Sequence, residues 1–313
     1  CRKDLNHMAR NTYGLDLGSY EIKVYDKKQD TIWKEKNVLA VQDKKEIIAI
    51  GEDAYQMYEK TPPDIEVAFP MREGVISRFN DMQNLLQNIL KKNRHFSRGA
   101  EYVIAVPTDV TEVQKKAFFD LVIHSNAKAR EVNIVERSIA DAVGLGIDVQ
   151  NTTGVMIINF GGETTELSVL TEGGIVFNRL LKLGGTTLDQ EIVNLVRNSH
   201  DFLIGSRTAE ILRQQFDVFN GDSETAFSVA GRDLITGLPM RKTISITLVR
   251  AAFKDSLLEC MKAVRSMHDR TPPEIRKSIY KNGIYLTGGI ANMSGLDAYV
   301  ESMTKIRTTT ADK

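Results

Sequence analysis

Cysteine is almost absent from this chain. The 313 residues include only Cys1 and Cys260, which lie far apart in the sequence. Two distant cysteines cannot form the disulfide framework of a small secreted protein. The cysteine content therefore predicts a protein of a reducing compartment.

An excess of charge of one sign is also lacking. Lysine and arginine together number 41, as do aspartate and glutamate. A balanced chain has no overall field that would attract nucleic acid, so we expect no nucleic-acid partner. A neutral chain associates with itself more readily than a charged one.

Long apolar runs are missing as well. We find no apolar stretch close to the roughly 20 residues that a membrane helix needs. Residues 1–11 have no apolar core and do not resemble a signal peptide. These absences predict a cytoplasmic protein, and the chain length suggests about two domains.

Short β-branched runs alternate with segments of helical periodicity. Residues 81–93 have apolar side chains at helical spacing, and Thr111 is the expected N-cap of the next helix. Pro62 and Pro63 are expected to close a helix that begins near Gly51. Alternating strands and helices predict an α/β fold with parallel sheet.

Three glycine turns follow strands. They lie in "GLDLGSYEIKVY" (14–25), "INFGGETTE" (158–166) and "YLTGGIANMSGL" (285–296). Ligands of α/β sheets bind at the carboxyl ends of strands, so these turns are candidate phosphate-binding loops. The first two share one pattern of strand, acidic or amide residue, glycine and strand, which suggests an internal duplication.

These three motifs resemble the two phosphate loops and the adenosine loop of the actin, Hsp70 and sugar-kinase superfamily. The segment 47–79 and the motifs "LIGSRTAE", "AGRDLITGLP" and "RTPPEI" resemble more closely the bacterial actin homologues of the MreB/Mbl family. The resemblance covers about residues 12–313. It implies an actin-like, ribonuclease H-like duplicated fold of two domains, with ATP or ADP and Mg²⁺ in a central cleft.

The resemblance also implies a division into four subdomains. They are IA (12–38 and 70–147), IB (39–69), IIA (148–187 and 245–313) and IIB (188–244). The implied role is a cytoskeletal filament of copies of the chain that organises cell-wall synthesis and rod shape with the cell-shape machinery. Such filaments lie on the inner face of the cell membrane.

In the first loop the resemblance implies a role for five residues. Asp16 would hold the water shell of Mg²⁺, and Gly18 and Ser19 would bind phosphate. Tyr20 departs from the family pattern and would obstruct a phosphate, whereas Lys23 would add a positive charge, as a lysine does in actin. The alternatives are an ordinary tight hairpin and a solvated lysine.

The second loop departs further from the family pattern. Asn159 stands where an aspartate is expected and can hold a metal only weakly, through water. Gly161, Gly162 and Thr164 preserve the shape of a phosphate cradle. Glu163 replaces a third glycine and adds negative charge, which would repel a phosphate unless the side chain turns outward or binds a metal.

The third departure lies in "VERSIADAVG" (135–144). The family has a glutamate there that orients the attacking water, and Arg137 stands in its place beside Glu136. Arginine only donates hydrogen bonds, so it cannot act as a base, although it can pair with a γ-phosphate. An ordinary charged helix start is the alternative. Thr164 is the other candidate near the reacting phosphate.

The adenosine region has five candidate residues. The resemblance implies contacts from Glu210 and Arg213 to the ribose or adenine, and from the turn of Gly288, Gly289 and Ile290. Ile290 replaces a third glycine. A solvated helix face and an ordinary strand-helix turn are the alternatives.

A basic loop in "LKKNRHFSRGAE" (90–101) contains one apolar side chain, Phe96, where the family can carry lipid-contacting residues. A solvated loop is the alternative to a membrane contact.

The departures at Arg137, Asn159, Glu163 and Ile290 fall together in one predicted site. We therefore expect a family member with weak or absent ATP hydrolysis and weakened binding of nucleotide and Mg²⁺. The alternatives are a fully active polymerising ATPase and, further off, a small-molecule kinase of the superfamily.

Overall fold

The computed structural model describes residues 11–92 and 99–311. The chain forms two compact units, Cys1–Ala140 and Asp141–Lys313. Phe96, the predicted membrane contact, lies outside the described residues.

The first unit contains three sheets and the helices that cover them. Its strands are β1 (Thr12–Leu17), β2 (Glu21–Asp26), β3 (Thr31–Lys36), β4 (Leu39–Gln42), β5 (Glu46–Ile50), β6 (Ile65–Ala68), β7 (Met71–Arg72), β8 (Val75–Ile76), β9 (Glu101–Val106) and β10 (Glu131–Glu136). Its helices are α1 (Glu52–Met57), α2 (Phe79–Lys92), α3 (Glu112–Ile123) and the start of α4 (Arg137–Gly144).

The second unit repeats this plan. Its strands are β11 (Val155–Phe160), β12 (Thr165–Thr171), β13 (Gly174–Leu181), β14 (Phe202–Leu203), β15 (Ala226–Asp233), β16 (Pro239–Ser245), β17 (Ile284–Thr287) and β18 (Thr308–Thr310). Its helices are α5 (Gly185–His200), α6 (Ser206–Gln215), α7 (Ile246–Arg270), α8 (Pro273–Asn282) and α9 (Leu296–Thr304), with a 3₁₀ turn at Gly289–Asn292.

The main sheets of the two units have the same topology. The strand order is β3-β2-β1-β9-β10 in one and β13-β12-β11-β17-β18 in the other. In each sheet three antiparallel strands are followed by two parallel ones, with the first strand of the unit in the middle. This repetition confirms the internal duplication predicted from the two glycine hairpins.

Each main sheet packs its own core. Tyr13, Leu15 and Leu17 alternate along β1 toward a core that α2 and α3 cover, as the period of two in a strand requires. Strands β11 and β12 are buried at almost every position, because they share the core of the second unit with helices such as α5 and α7. Strands β1 and β11, whose carboxyl ends lead into two of the glycine turns, therefore belong to well-packed sheets.

One predicted helix end was wrong. Helix α1 ends at Met57, before the Pro62–Pro63 pair, because Tyr58 already has an extended backbone (φ −56°, ψ 134°). The Tyr58 ring packs against the rings of Tyr55 and Phe69. The helix thus ends at Met57, and the proline pair lies beyond its end.

The predicted cap of α3 is confirmed and gives a stability prediction. The Thr111 hydroxyl accepts from the Gln114 N–H (3.2 Å), and the Gln114 side chain accepts from the Thr111 N–H (2.8 Å). We expect Thr111→Ala to lower the free energy of unfolding by about 1 kcal/mol, and Thr111→Ser to change it little. Urea unfolding followed by circular dichroism measures both, and equal midpoints for Thr111→Ala and the unchanged chain would contradict this role.

Candidate functional site

Loop 1 (residues 18–20) joins β1 to β2 and is held by backbone hydrogen bonds. The Gly18 N–H donates to the Glu21 carbonyl (3.1 Å), and a Cβ at Gly18 would lie 2.8 Å from that oxygen. The buried Asn37 donates through Nδ2 to the Gly18 carbonyl (2.7 Å). The glycine is therefore required by the turn itself.

Ser19 has a second partner within the same unit. Its Oγ accepts from the Gly74 N–H (3.0 Å), which ties loop 1 to the turn between β7 and β8. A hydroxyl that accepts one bond retains its own proton to donate. Ser19 thus remains suited to the phosphate contact predicted for it.

The Tyr20 side chain packs beside Lys36 and Tyr55. The Lys36 Nζ lies 3.6 Å from the centroid of the Tyr20 ring, and the Tyr55 ring meets it edge-on at 6.0 Å. These contacts place Tyr20 on the side of β3 and α1. They give its ring a packing role that the sequence did not reveal.

Asp16 lies between two cations. Lys23 is its cross-strand partner on β2, with Nζ 3.5 Å from Asp16 Oδ2. Arg137, the first residue of α4, places Nη2 3.4 Å from Asp16 Oδ1. The Arg137 side chain is 12% exposed, against 36% for Asp16. Strand register and the start of a helix thus bring three predicted site residues together.

Glu136 occupies a different position from Arg137. It is the last residue of β10, where it pairs in register with Val106 of β9. Ser138, which follows Arg137, is buried, and its Oγ lies 2.9 Å from Thr108 Oγ1. Arg137 is the residue of this motif that reaches Asp16.

Loop 2 (residues 161–164) repeats the backbone geometry of loop 1. The Gly161 N–H donates to the Thr164 carbonyl (2.8 Å), and a Cβ at Gly161 would again lie 2.8 Å from that oxygen. Gly161 therefore corresponds to Gly18, and Asn159 to Asp16. The two loops share their shape but not their charges.

The start of α5 holds loop 2 in place. The Gly185 N–H donates to the Gly161 carbonyl (3.2 Å), and Thr186 donates to the Gly162 carbonyl through its N–H (2.8 Å) and its hydroxyl (3.1 Å). The sequence analysis missed these residues. The motif "LGGT" after β13 is a signal that would have found them.

Glu163 has a backbone that any residue can adopt. It is not among the residues with positive φ, so a glycine is not required at this position. The close backbone approach at this loop is made by Gly184, where a Cβ would lie 2.6 Å from the Glu163 carbonyl carbon. The loop therefore tolerates glutamate without losing its shape.

Asn159 is bound to a residue that the sequence analysis missed. Its Nδ2 donates to Asp141 Oδ2 (2.6 Å), which also accepts from the Thr287 hydroxyl (2.9 Å). A carboxylate only accepts, so the amide must turn its NH₂ toward Asp141. Its Oδ1 then faces Gly288, where a Cβ would lie 2.8 Å away. Gly288 has φ +86°, which also favours glycine.

The predicted adenosine residues are mostly buried. Arg213 makes two bonds to Asp189 of α5, Nε–Oδ1 at 2.6 Å and Nη2–Oδ2 at 3.1 Å. Burial raises the pKa of the Asp189 carboxyl, whereas the bonds from Arg213 act to lower it. Glu210 is also buried and accepts from the Gln214 side chain (3.0 Å).

Ile290 and Arg213 meet at Gly185. A Cβ there would lie 3.1 Å from Ile290 Cδ1 and 3.3 Å from Arg213 Nη2. Ile290 is buried within the 3₁₀ turn that begins at Gly289. The residue in place of the third glycine thus packs against the start of α5.

Magnesium fits neither of the two positions predicted for it. Each oxygen of Asp16 already faces a cation of the chain, which disfavours a hydrated Mg²⁺ ion beside it. Asn159 directs its nitrogen to Asp141 and its oxygen to Gly288. Across residues 11–92 and 99–311, no three His, Cys, Asp or Glu side chains are grouped to hold a metal.

We expect Gly184→Ala to disturb loop 2. Gly184 has an extended backbone (φ −163°) that alanine also adopts. Any loss of stability in this variant therefore comes from the close contact with Glu163 and not from backbone strain. The expected loss is about 1–3 kcal/mol in the free energy of unfolding. Gly174→Ala is the matched control, because no atom lies within 4 Å of its Cβ position. Equal urea midpoints for the two variants would contradict this role.

We expect Asn159→Asp to place two carboxylates together with Asp141. Their repulsion raises the pKa of one carboxyl in the folded state above its unfolded value. The destabilisation is therefore largest above that pKa, about 1–3 kcal/mol near neutral pH, and shrinks as the pH falls through it. Unfolding midpoints over a pH series measure it.

The exchanged pair Asn159→Asp/Asp141→Asn is the control for this variant. It restores one carboxylate and one amide, so its stability should return close to that of the unchanged chain. A single variant as stable as the exchanged pair near neutral pH would contradict the assigned bond.

Known proteins resemble this chain over nearly its whole length. The family model described as "MreB/Mbl protein" matches residues 10–313. The cell shape-determining protein MreB of Escherichia coli (strain K12) is 32% identical, covering 99% of this chain and 91% of that protein. The cell shape-determining protein Mbl of Bacillus subtilis (strain 168) is 30% identical over 96% of this chain and 90% of its own length.

Solved structures have the same fold. MreB5 of Spiroplasma citri bound to AMPPNP superposes with a TM-score of 0.91 at 30% identity, covering 97% of this chain and 92% of that one. The MamK double helical filament gives 0.81 at 19% identity over 97% and 94% of the two chains, a likeness of fold alone. Within the part of the chain that the structure describes, no helix is long and apolar enough to cross a membrane. The fold is the predicted actin-like α/β fold, and the chain belongs to the MreB/Mbl protein family.

Proposed function

We propose that this chain is a cytoskeletal protein of cell-shape determination that binds an adenine nucleotide and hydrolyses it slowly or not at all. Its family is that of the cell shape-determining proteins MreB and Mbl. MreB5 of Spiroplasma citri has been solved with AMPPNP and with ADP. Both structures cover 97% of this chain at 30% identity, which supports a nucleotide site here.

The contact between Arg137 and Asp16 carries the proposal of slow hydrolysis. Phosphoryl transfer depends on a positioned water and on neutralisation of charge. Arg137 stands where the family glutamate is expected, and its guanidinium cannot accept a proton or a hydrogen bond from water. Its bond to Asp16 holds it at the end of β1.

Glu163 and Asn159 support the same proposal. Glu163 lies in a loop with intact backbone geometry, so its substitution changes charge rather than shape. Asn159 is bound to Asp141 and does not replace the missing carboxylate. The candidate nucleotide-binding residues remain the individual residues predicted from the sequence, of which Asp16 is the first and Ile290 the last.

Self-association into filaments is the proposed mode of action, with the cell-shape machinery as a further partner. The actin-like fold, which is also that of the MamK filament, supports it. The inner face of the cell membrane is the proposed location. The four-subdomain division is part of this proposal: β4, β5 and β6 fall within residues 39–69, and β14 and β15 within residues 188–244.

Phosphate release under polymerising conditions tests the proposal, with Escherichia coli MreB measured in parallel. We expect this chain to release phosphate at no more than about a tenth of the rate of that relative, the loss of one positioned catalytic group being worth at least that factor. Equal turnover would contradict the proposal and favour the fully active ATPase.

A restored variant tests the assigned cause. We expect Arg137→Glu/Asn159→Asp/Glu163→Gly to release phosphate about tenfold faster than the unchanged chain. Arg137→Met is the control, because it removes the guanidinium without supplying an acceptor for water. An equal gain in Arg137→Met would contradict the role given to the missing glutamate.

A further inference from the structure

Positive charge at loop 1 is supplied by the chain itself. Arg137 contacts Oδ1 of Asp16 and Lys23 contacts Oδ2, so each carboxylate oxygen has its own cationic neighbour. In the resemblance from which the site was predicted, this carboxylate would hold the water shell of Mg²⁺. In this chain a lysine and an arginine lie beside that carboxylate.

The backbone positions of both cationic residues are set by the fold. Lys23 faces Asp16 because β1 and β2 pair in that register. Arg137 follows β10 without an intervening residue and opens α4, and only 12% of its side chain is exposed. The fold therefore brings both side chains to Asp16 without a bound ligand.

The two cations can also face a phosphate. A guanidinium has five N–H donors and an ammonium has three, so the contacts with Asp16 leave donors for further oxygens. The guanidinium of Arg137 donates to Asp16. It has no other hydrogen-bonded side chain among residues 11–92 and 99–311. Loop 1, with the Ser19 hydroxyl, follows Asp16 after one residue, Leu17.

A divalent cation would be disfavoured at the same carboxylate. It would have to approach two positive charges, and Mg²⁺ also keeps several of its waters, which need room and acceptors. The amide of Asn159 supplies no charge at the corresponding position on loop 2, because its nitrogen donates to Asp141 and its oxygen faces Gly288.

We propose that this chain binds nucleoside polyphosphate without a divalent cation, with Arg137 and Lys23 supplying the positive charge that the metal would otherwise provide. The inference rests on the proposed nucleotide binding. It further specifies that the nucleotide binds as the metal-free polyphosphate and not as a metal complex.

Calorimetric titration of the unchanged chain with ATP, once in excess Mg²⁺ and once in EDTA, tests the proposal. The expected dissociation constants agree within about threefold. Binding that is about tenfold or more weaker in EDTA would overturn the inference while leaving nucleotide binding intact. Absence of binding in both buffers would overturn the proposed nucleotide function and this inference with it.

The variant Arg137→Gln/Lys23→Gln tests the assigned residues. In EDTA its dissociation constant for ATP should be at least about tenfold higher than that of the unchanged chain. It should regain affinity when Mg²⁺ is added, because Asp16 no longer has its two cationic neighbours. A merely structural role would not produce this new dependence on metal. Affinity equal to that of the unchanged chain in EDTA would overturn the assignment.

Lys115→Gln is the matched control, because it removes a lysine paired with the exposed Glu112 on α3. Its dissociation constants should equal those of the unchanged chain in both buffers. Circular dichroism verifies that each variant is folded. Should the double variant not fold, the comparison of the unchanged chain in the two buffers decides the proposal alone.

Discussion

Asp16 at the end of β1 has a positively charged neighbour at each carboxylate oxygen, Arg137 at Oδ1 and Lys23 at Oδ2. Opposite charges this close attract each other. Lys23 and Arg137 come from a paired strand and a helix start, so the balance is built into the sheet. The electrostatics of this half of the site follow from that arrangement.

Shape and charge are controlled separately in the two loops. The bonds Gly18–Glu21 and Gly161–Thr164 give both loops one backbone geometry, whatever side chains they present. The start of α5 then fixes loop 2 through the carbonyls of Gly161 and Gly162. A scaffold held by backbone contacts can accept Glu163 without collapse, which explains how a phosphate cradle persists while its charges change.

Local signals in the sequence predicted the local features of the fold. The cap at Thr111 and the hairpins around Gly18 and Gly161 depend on neighbouring residues, and the structure confirms them. The repeated hairpin also predicted the shared topology of the two main sheets. These features need no knowledge of distant contacts.

Contacts between distant residues could not be predicted in the same way. Asp141 reaches Asn159 and Thr287 across large separations in sequence, and Asp189 pairs with Arg213 between two helices. The close backbone approach of Gly184 to Glu163 likewise joins two separate parts of the chain. Helix α1 ends at Met57, before the Pro62–Pro63 pair, and the Tyr58 ring that follows it packs against Phe69.

The central claim is that positive charge at Asp16 comes from the chain and not from a metal. A crystal structure of the chain with ATP and Mn²⁺, with anomalous scattering data for manganese, tests it most directly. The account predicts bound nucleotide, no manganese peak within coordination distance of Asp16, and Arg137 still beside that carboxylate. A manganese ion bound to Asp16 with Arg137 displaced would contradict it.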